Sequence, residues 1–202
     1  MIRMVRNGIL AAATALTPLS GWAQQPGAGT PPVVAPPPSA PAPTPACTAP
    51  EYGQFDFWVG RWVVYRTGGD RLVAHSLIEK LYDGCGVREN WMPTGAAGGG
   101  SLNSFVPEPG EWRQIWIDSS NSWAEFRGGL RDGAMVLSGT WRGMNGAGTA
   151  PLVRISYIPQ PDRSVRQLGE QSTDEGRTWT PAFDLTYRRS ATADAGVPAA
   201  TP

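Results

Sequence analysis

Six polar side chains of this chain stand among aromatic or β-branched neighbours: Glu89, Asn103, Gln114, Asp118, Glu125 and Glu170. In an extended strand alternate side chains share a face, so Glu89 lies with Trp91, and Gln114 lies with Trp116 and Asp118. If those faces point inward, rings beside a few polar groups make the lining of a small-molecule pocket. A carboxylate held there is also a candidate general acid or base, because burial raises its pKa. The opposite register turns these groups outward and leaves Val63, Ile115, Ile117, Ala124 and Phe126 to fill a dry core. The nine Trp of the chain, eight of them after residue 23, favour the pocket, since a small packed core needs fewer.

Other chemistries fare poorly. His75 is the single His. On the run LVAHSLIEK it alternates with Val73 and Leu77, which makes it a pocket-lining or surface residue before a haem ligand. No C-x-x-C-H is present, which excludes covalent haem. Two Cys and one His fall short of the usual four zinc ligands, so no metal or cofactor is expected. No Ser-His-Asp or phosphate-loop spacing occurs. Cys47 and Cys85 are read as one structural disulfide; closing that loop is worth roughly 4 kcal/mol by chain entropy. The 17 basic and 17 acidic groups cancel, leaving no basic excess for nucleic acid or an anionic membrane surface. The basic set is one Lys, Lys80, and otherwise Arg, a composition bias from which no function follows.

The elements that must position these residues follow from composition. Arg3 and Arg6 precede an apolar run, Gly8 to Leu19, too short to span a bilayer, and Gly21-Trp22-Ala23 suits a signal peptidase. Residues 1–23 are therefore expected to be a signal peptide and the protein to be exported, to a periplasm or beyond. No stop-transfer segment follows and no Cys adjoins the cleavage site, so neither membrane insertion nor a lipid anchor is expected. Residues 24–50 hold ten Pro and read as a semi-rigid polyproline spacer, and 190–202 as a disordered tail. Residues 51–189 remain as one domain.

That domain reads as ten turn-bounded strands: Trp58 to Arg66, Arg71 to Leu81, Cys85 to Met92, Ser101 to Val106, Glu111 to Asp118, Ser122 to Arg127, Ala134 to Trp141, Leu152 to Pro159, Ser164 to Ser172 and Thr178 to Arg188. Short connections make sequential strands antiparallel neighbours, and no window offers a capped amphipathic helix of useful length. An up-and-down meander of this size hides its edges by closing. The expected fold is all-β, a single antiparallel up-and-down barrel.

FDFWVGRW at Phe55 to Trp62 resembles the opening of a family of bacterial exported proteins of unknown function with a lipocalin-like, calycin-type barrel. IEK and GCGVRENW within Ile78 to Trp91, SLN at Ser101 to Asn103, WRQIWID at Trp112 to Asp118, VRQL from Val165 and STDEGRTW from Ser172 extend the resemblance over nearly the whole domain. Gly60-Arg61-Trp62 also resembles the G-x-W of lipocalins. The resemblance implies that Trp62 plugs one barrel end under a cation from the last strand, Arg188 or Arg189. Ser172 to Trp179 resembles an Asp-box hairpin, in which Asp174 accepts backbone N–H groups, Gly176 supplies a positive φ and Trp179 covers the turn. Its role is structural.

Two function classes stay open. One is a binding protein for a small apolar or amphipathic ligand, with Trp91 and Trp116 as walls and Asn103 and Gln114 as orienting groups. The other is an isomerase, cyclase or hydrolase using Glu89 or Asp118 as general acid or base. Binding is favoured, because no catalytic spacing supports the second. Oligomeric state is not legible.

Overall fold

Alternation of buried and exposed side chains decides the architecture. In the computed structural model, which describes residues 47–191, ten strands carry it: β1 Gly60–Arg66, β2 Leu72–Leu81, β3 Gly86–Pro93, β4 Gly99–Val106, β5 Glu111–Asp118, β6 Trp123–Arg131, β7 Ala134–Arg142, β8 Leu152–Pro159, β9 Val165–Ser172 and β10 Thr180–Arg189. The expected signal peptide, and most of the Pro-rich segment and of the tail, lie outside the described residues. Every strand pairs antiparallel with the next, and β1 pairs with β10 from Trp62↔Arg189 to Arg66↔Leu185. The meander is thus a closed lipocalin-like barrel with no free sheet edge. Among the described residues no helix is long and apolar enough to cross a membrane.

The boundaries differ from expectation where side chains are small or turned away. Trp58 belongs not to β1 but to a 3-10 turn, Asp56–Trp58, that tucks its indole under the barrel. β4 begins earlier, at Gly99, and β6 runs on to Arg131, because Gly99, Gly128 and Gly129 pair through their backbones with no side-chain pattern to announce them.

Strand direction puts the two barrel ends in different hands. The end where β1 starts and β10 finishes is plugged. Phe55 stacks on Trp58 at 4.8 Å and meets Trp112 and Tyr157 edge-on at 5.6 and 5.0 Å. The indole of Trp62 donates to Trp58 O at 2.8 Å, and that of Trp112 to Gln54 Oε1 at 3.1 Å. The strap carrying Phe55 and Trp58 is fastened from below: Lys80 donates to Tyr52 O at 2.6 Å and pairs with Asp56, and a disulfide joins Cys47 to Cys85.

One expected role moves by a residue. Arg189, not Arg188, lies over Trp62, 4.0 Å from the ring centroid, and donates to Val59 O at 2.6 Å; Arg188 lies over Tyr65 on the outer face. Register is the cause. Trp62 points inward and pairs with Arg189, whereas Arg188 pairs with the outward-facing Val63. Gly60 completes the arrangement, because a Cβ there would sit 1.9 Å from Arg189 Nη1.

The opposite end carries the turns that follow β1, β3, β5, β7 and β9. The β9–β10 turn is held as the Asp-box pattern implies: Asp174 accepts from Thr178 N at 2.9 Å and from Thr178 Oγ1 and Ser172 Oγ at 2.7 Å. These bonds, the Thr178 hydroxyl first, hold the Asp174 pKa down at about 2. Gly176 has φ +84°, and Trp179 lies on the turn, donating to Gly176 O at 3.0 Å.

Candidate functional site

A cavity of about 320 Å³ enters the barrel from the end opposite the plug, within the range of about 300–1,000 Å³ usual for small-molecule sites. Arg66, Ala97, Asp118 and Ala182 ring its mouth, Trp91, Trp116, Phe126, Trp141, Phe183 and Leu185 wall it, and Glu89, Gln114, Tyr157, Gln167 and Tyr187 form a polar floor. The walls are mutually supporting: Trp141 lies 5.8 Å from Trp116, 5.9 Å from Phe126 and 6.3 Å from Phe183, centroid to centroid. Gly169 makes room for one of them, since a Cβ there would fall 2.2 Å from the Phe183 ring.

The floor is one hydrogen-bonded network. Glu89, 4% exposed, accepts from Ser76 Oγ at 2.9 Å, from Tyr187 OH at 3.2 Å and, more weakly, from Ser101 Oγ at 3.5 Å. Gln114 Nε2 donates to Asn103 Oδ1 at 2.6 Å and Tyr157 OH at 3.1 Å, and Asn103 Nδ2 donates to Val87 O at 2.8 Å and Ser101 Oγ at 3.0 Å. These three hydrogen-bond partners of Glu89 are all neutral. Burial therefore dominates and pushes its carboxyl up to about 7, against the hydrogen bonds from Ser76, Tyr187 and Ser101. Tyr187 and Tyr157 are raised too, by burial first and by the Glu89 charge second.

Hydrogen counting agrees with a protonated Glu89. The Tyr187 hydroxyl sits 3.2 Å from Glu89 Oε1 and 3.0 Å from Gln167 Oε1, yet a phenol has one hydrogen to give. Protonated, Glu89 donates to Tyr187 instead of accepting from it, and Tyr187 donates to Gln167; ionised, it accepts from Tyr187, whose bond to Gln167 is then given up.

At the mouth Asp118 is the reverse case. Although partial burial opposes it, bonds from Ser120 and Ser122, at 2.6 and 2.5 Å, and from the Trp116 indole at 3.1 Å hold its pKa at about 2. It is a fixed anion that orients Trp116, unsuited to carrying a proton near neutral pH.

The structure brings together Glu89, Trp91, Gln114, Trp116 and Asp118, while Asn103 stands behind Gln114, off the cavity surface. Glu170 is not among them. It faces outward and forms a two-pronged ion pair with Arg154, its cross-strand partner on β8, at 3.0 and 2.8 Å. Glu125 likewise pairs with Arg127 outside, at 3.0 Å. Ile115 and Ile117, the residues of the alternative dry core, are 45% and 64% exposed, whereas Ala124 and Phe126 are buried inside. His75 is exposed on the outer face of β2.

Sequence reasoning missed Tyr157, Gln167 and Tyr187. The signal existed as alternation: Gln167 shares a face with Val165 and Gly169, and Tyr187 with Leu185 and Phe183. No protein-family model matches the chain, and no curated protein sequence matches it.

Proposed function

We propose that this protein binds a small apolar or amphipathic molecule in the barrel interior. One observation carries the reading: an aromatic-walled cavity of about 320 Å³, open at one end, closed by a plug at the other and floored by buried polar groups. Such walls supply apolar contact, and the few polar groups below set orientation. The Trp62–Arg189 stack and the closed meander support kinship with lipocalin-like exported proteins. Export is part of the proposal, supported by the Cys47–Cys85 disulfide, since such bonds persist in oxidising compartments.

The test is titration with an apolar fluorophore, N-phenyl-1-naphthylamine, read by probe emission and Trp quenching. Saturable one-to-one binding is expected, with Trp116→Ala weakening it while the barrel stays folded. No saturable binding to the wild type would refute the reading.

A second reading rests on Glu89, whose carboxyl titrates near neutrality 3.2 Å from Tyr187, as a general acid or base requires. Glu89→Gln separates the two. A binder keeps most of its affinity for the neutral probe, whereas an enzyme that uses this proton loses roughly two to four orders of magnitude in turnover.

A further inference from the structure

Glu89 presents an unusual balance of charge. The cavity holds one acid on its floor, Glu89, and one at its mouth, Asp118, against a single guanidinium, Arg66, also at the mouth. The groups facing Glu89 are Ser76 from β2, Ser101 from β4, Tyr157 from β8 and Tyr187 from β10, with Gln167 of β9 behind Tyr187. None is cationic. Trp91 stands two residues along the same face of β3, 6.2 Å from the Tyr187 ring, so an aromatic surface adjoins the carboxyl. The electron-rich faces of such rings attract cations.

Resting on the binding reading above, we propose that the ligand is a protonated amine with an apolar body, its ammonium seated on Glu89 and its body against Trp91, Trp116 and Trp141. Binding then exchanges one cation for another. The amine arrives charged, Glu89 gives up its proton to solvent, and the carboxylate accepts from the ammonium, Ser76 and Tyr187. Glu89 Oε2 has acceptor capacity for that bond, because Ser101, 3.5 Å away, holds it only weakly. Gln167 Oε1, which loses the Tyr187 hydrogen when Tyr187 turns to the carboxylate, is a second acceptor for the ammonium. Below about pH 7 the acid is neutral in the empty barrel and ionised in the filled one, so there the site carries no unpaired buried charge in either state.

The experiment is calorimetric titration of the full chain with three phenyl probes that share a two-carbon linker and differ in the end group: 2-phenylethylamine, propylbenzene and 3-phenylpropanoate. At pH 8 the amine should bind about tenfold or more tighter than the hydrocarbon, and the acid weakest. Amine affinity should rise about tenfold from pH 6 to pH 8 as Glu89 ionises, while propylbenzene affinity stays nearly flat. At pH 6 the heats in buffers of different ionisation enthalpy should report close to one proton released per amine bound. Glu89→Gln should abolish both the pH dependence and the proton release and weaken the amine about tenfold. The proton count is made on the wild type, so it stands even if the variant fails to fold. Equal binding of amine and hydrocarbon, preference for the acid, or absence of proton release overturns the amine assignment and leaves the cavity reading intact. Failure of all three probes to bind would overturn both.

Discussion

The two ends of the barrel are built from similar residues to opposite purpose. At the plugged end Phe55, Trp58, Trp62 and Trp112 are at most 1% exposed and interlock, and the indoles of Trp62 and Trp112 find acceptors. The Trp58 indole nitrogen has no hydrogen-bond partner and lies among the rings of Phe55, Tyr157 and Tyr187. At the open end Trp91, Trp116 and Trp141 are only partly buried and stand around a space. An aromatic residue therefore stabilises the fold where its ring is enclosed on all sides. Where one side faces a cavity, it forms a binding surface at smaller cost to stability if removed.

The contrast can be broken by mutation. The largest effect is expected at the plug: Trp62→Ala should cost roughly 3–5 kcal/mol in denaturant unfolding, because it empties a filled site and removes the ring beneath Arg189. Next comes the tie beneath it. Replacing Cys47 and Cys85 by Ser should cost roughly 2–4 kcal/mol, since the bridge closes a separation of 38 residues. The effect should also appear as fraying of the Phe55–Trp58 strap.

Glu89 should show itself through pH. Its pKa is raised from 4.5 to about 7 in the folded protein, so between those values the native state holds more protons than the unfolded one. Stability therefore falls as pH rises from about 4.5 to 7, by on the order of 3 kcal/mol at about 1.4 kcal/mol per unit. Glu89→Gln should flatten that slope and leave the variant more stable than wild type at pH 8. An unchanged slope would place the titrating group elsewhere. The smallest effect is expected at the wall: Trp116→Ala should cost about 1 kcal/mol or less, since it enlarges an existing space. A loss near that of Trp62→Ala would mean the two ends are packed alike.

How much of this could be read from sequence follows the same division. Ten turn-bounded β-runs made the barrel legible, because short connections leave antiparallel neighbours and closure removes the edges. The pairing of Trp91 with Glu89, and of Trp116 with Gln114, was legible as alternation. Which face points inward was not, because β5 reverses the usual rule, with Ile115 and Ile117 outside and Gln114 inside. Glu170 and Glu125 resemble Glu89 in residue type. What separates them is a basic partner, Arg154 across the register and Arg127 two residues on, whereas Glu89 meets only hydroxyls and a phenol. That distinction needs three-dimensional neighbours. The exchange of Arg188 for Arg189 over Trp62 has the same origin, since a one-residue register step moves a side chain through the barrel wall.

The central claim is that the space between Trp91, Trp116 and Trp141 is a ligand site, and a crystal soaked in iodobenzene tests it most directly. Anomalous signal from iodine is predicted inside the barrel, above Glu89 and Tyr187 and against those three indoles, with the strands unmoved. A barrel whose Trp116 and Trp141 rings instead fold down onto Tyr157, with no iodine within, would contradict it.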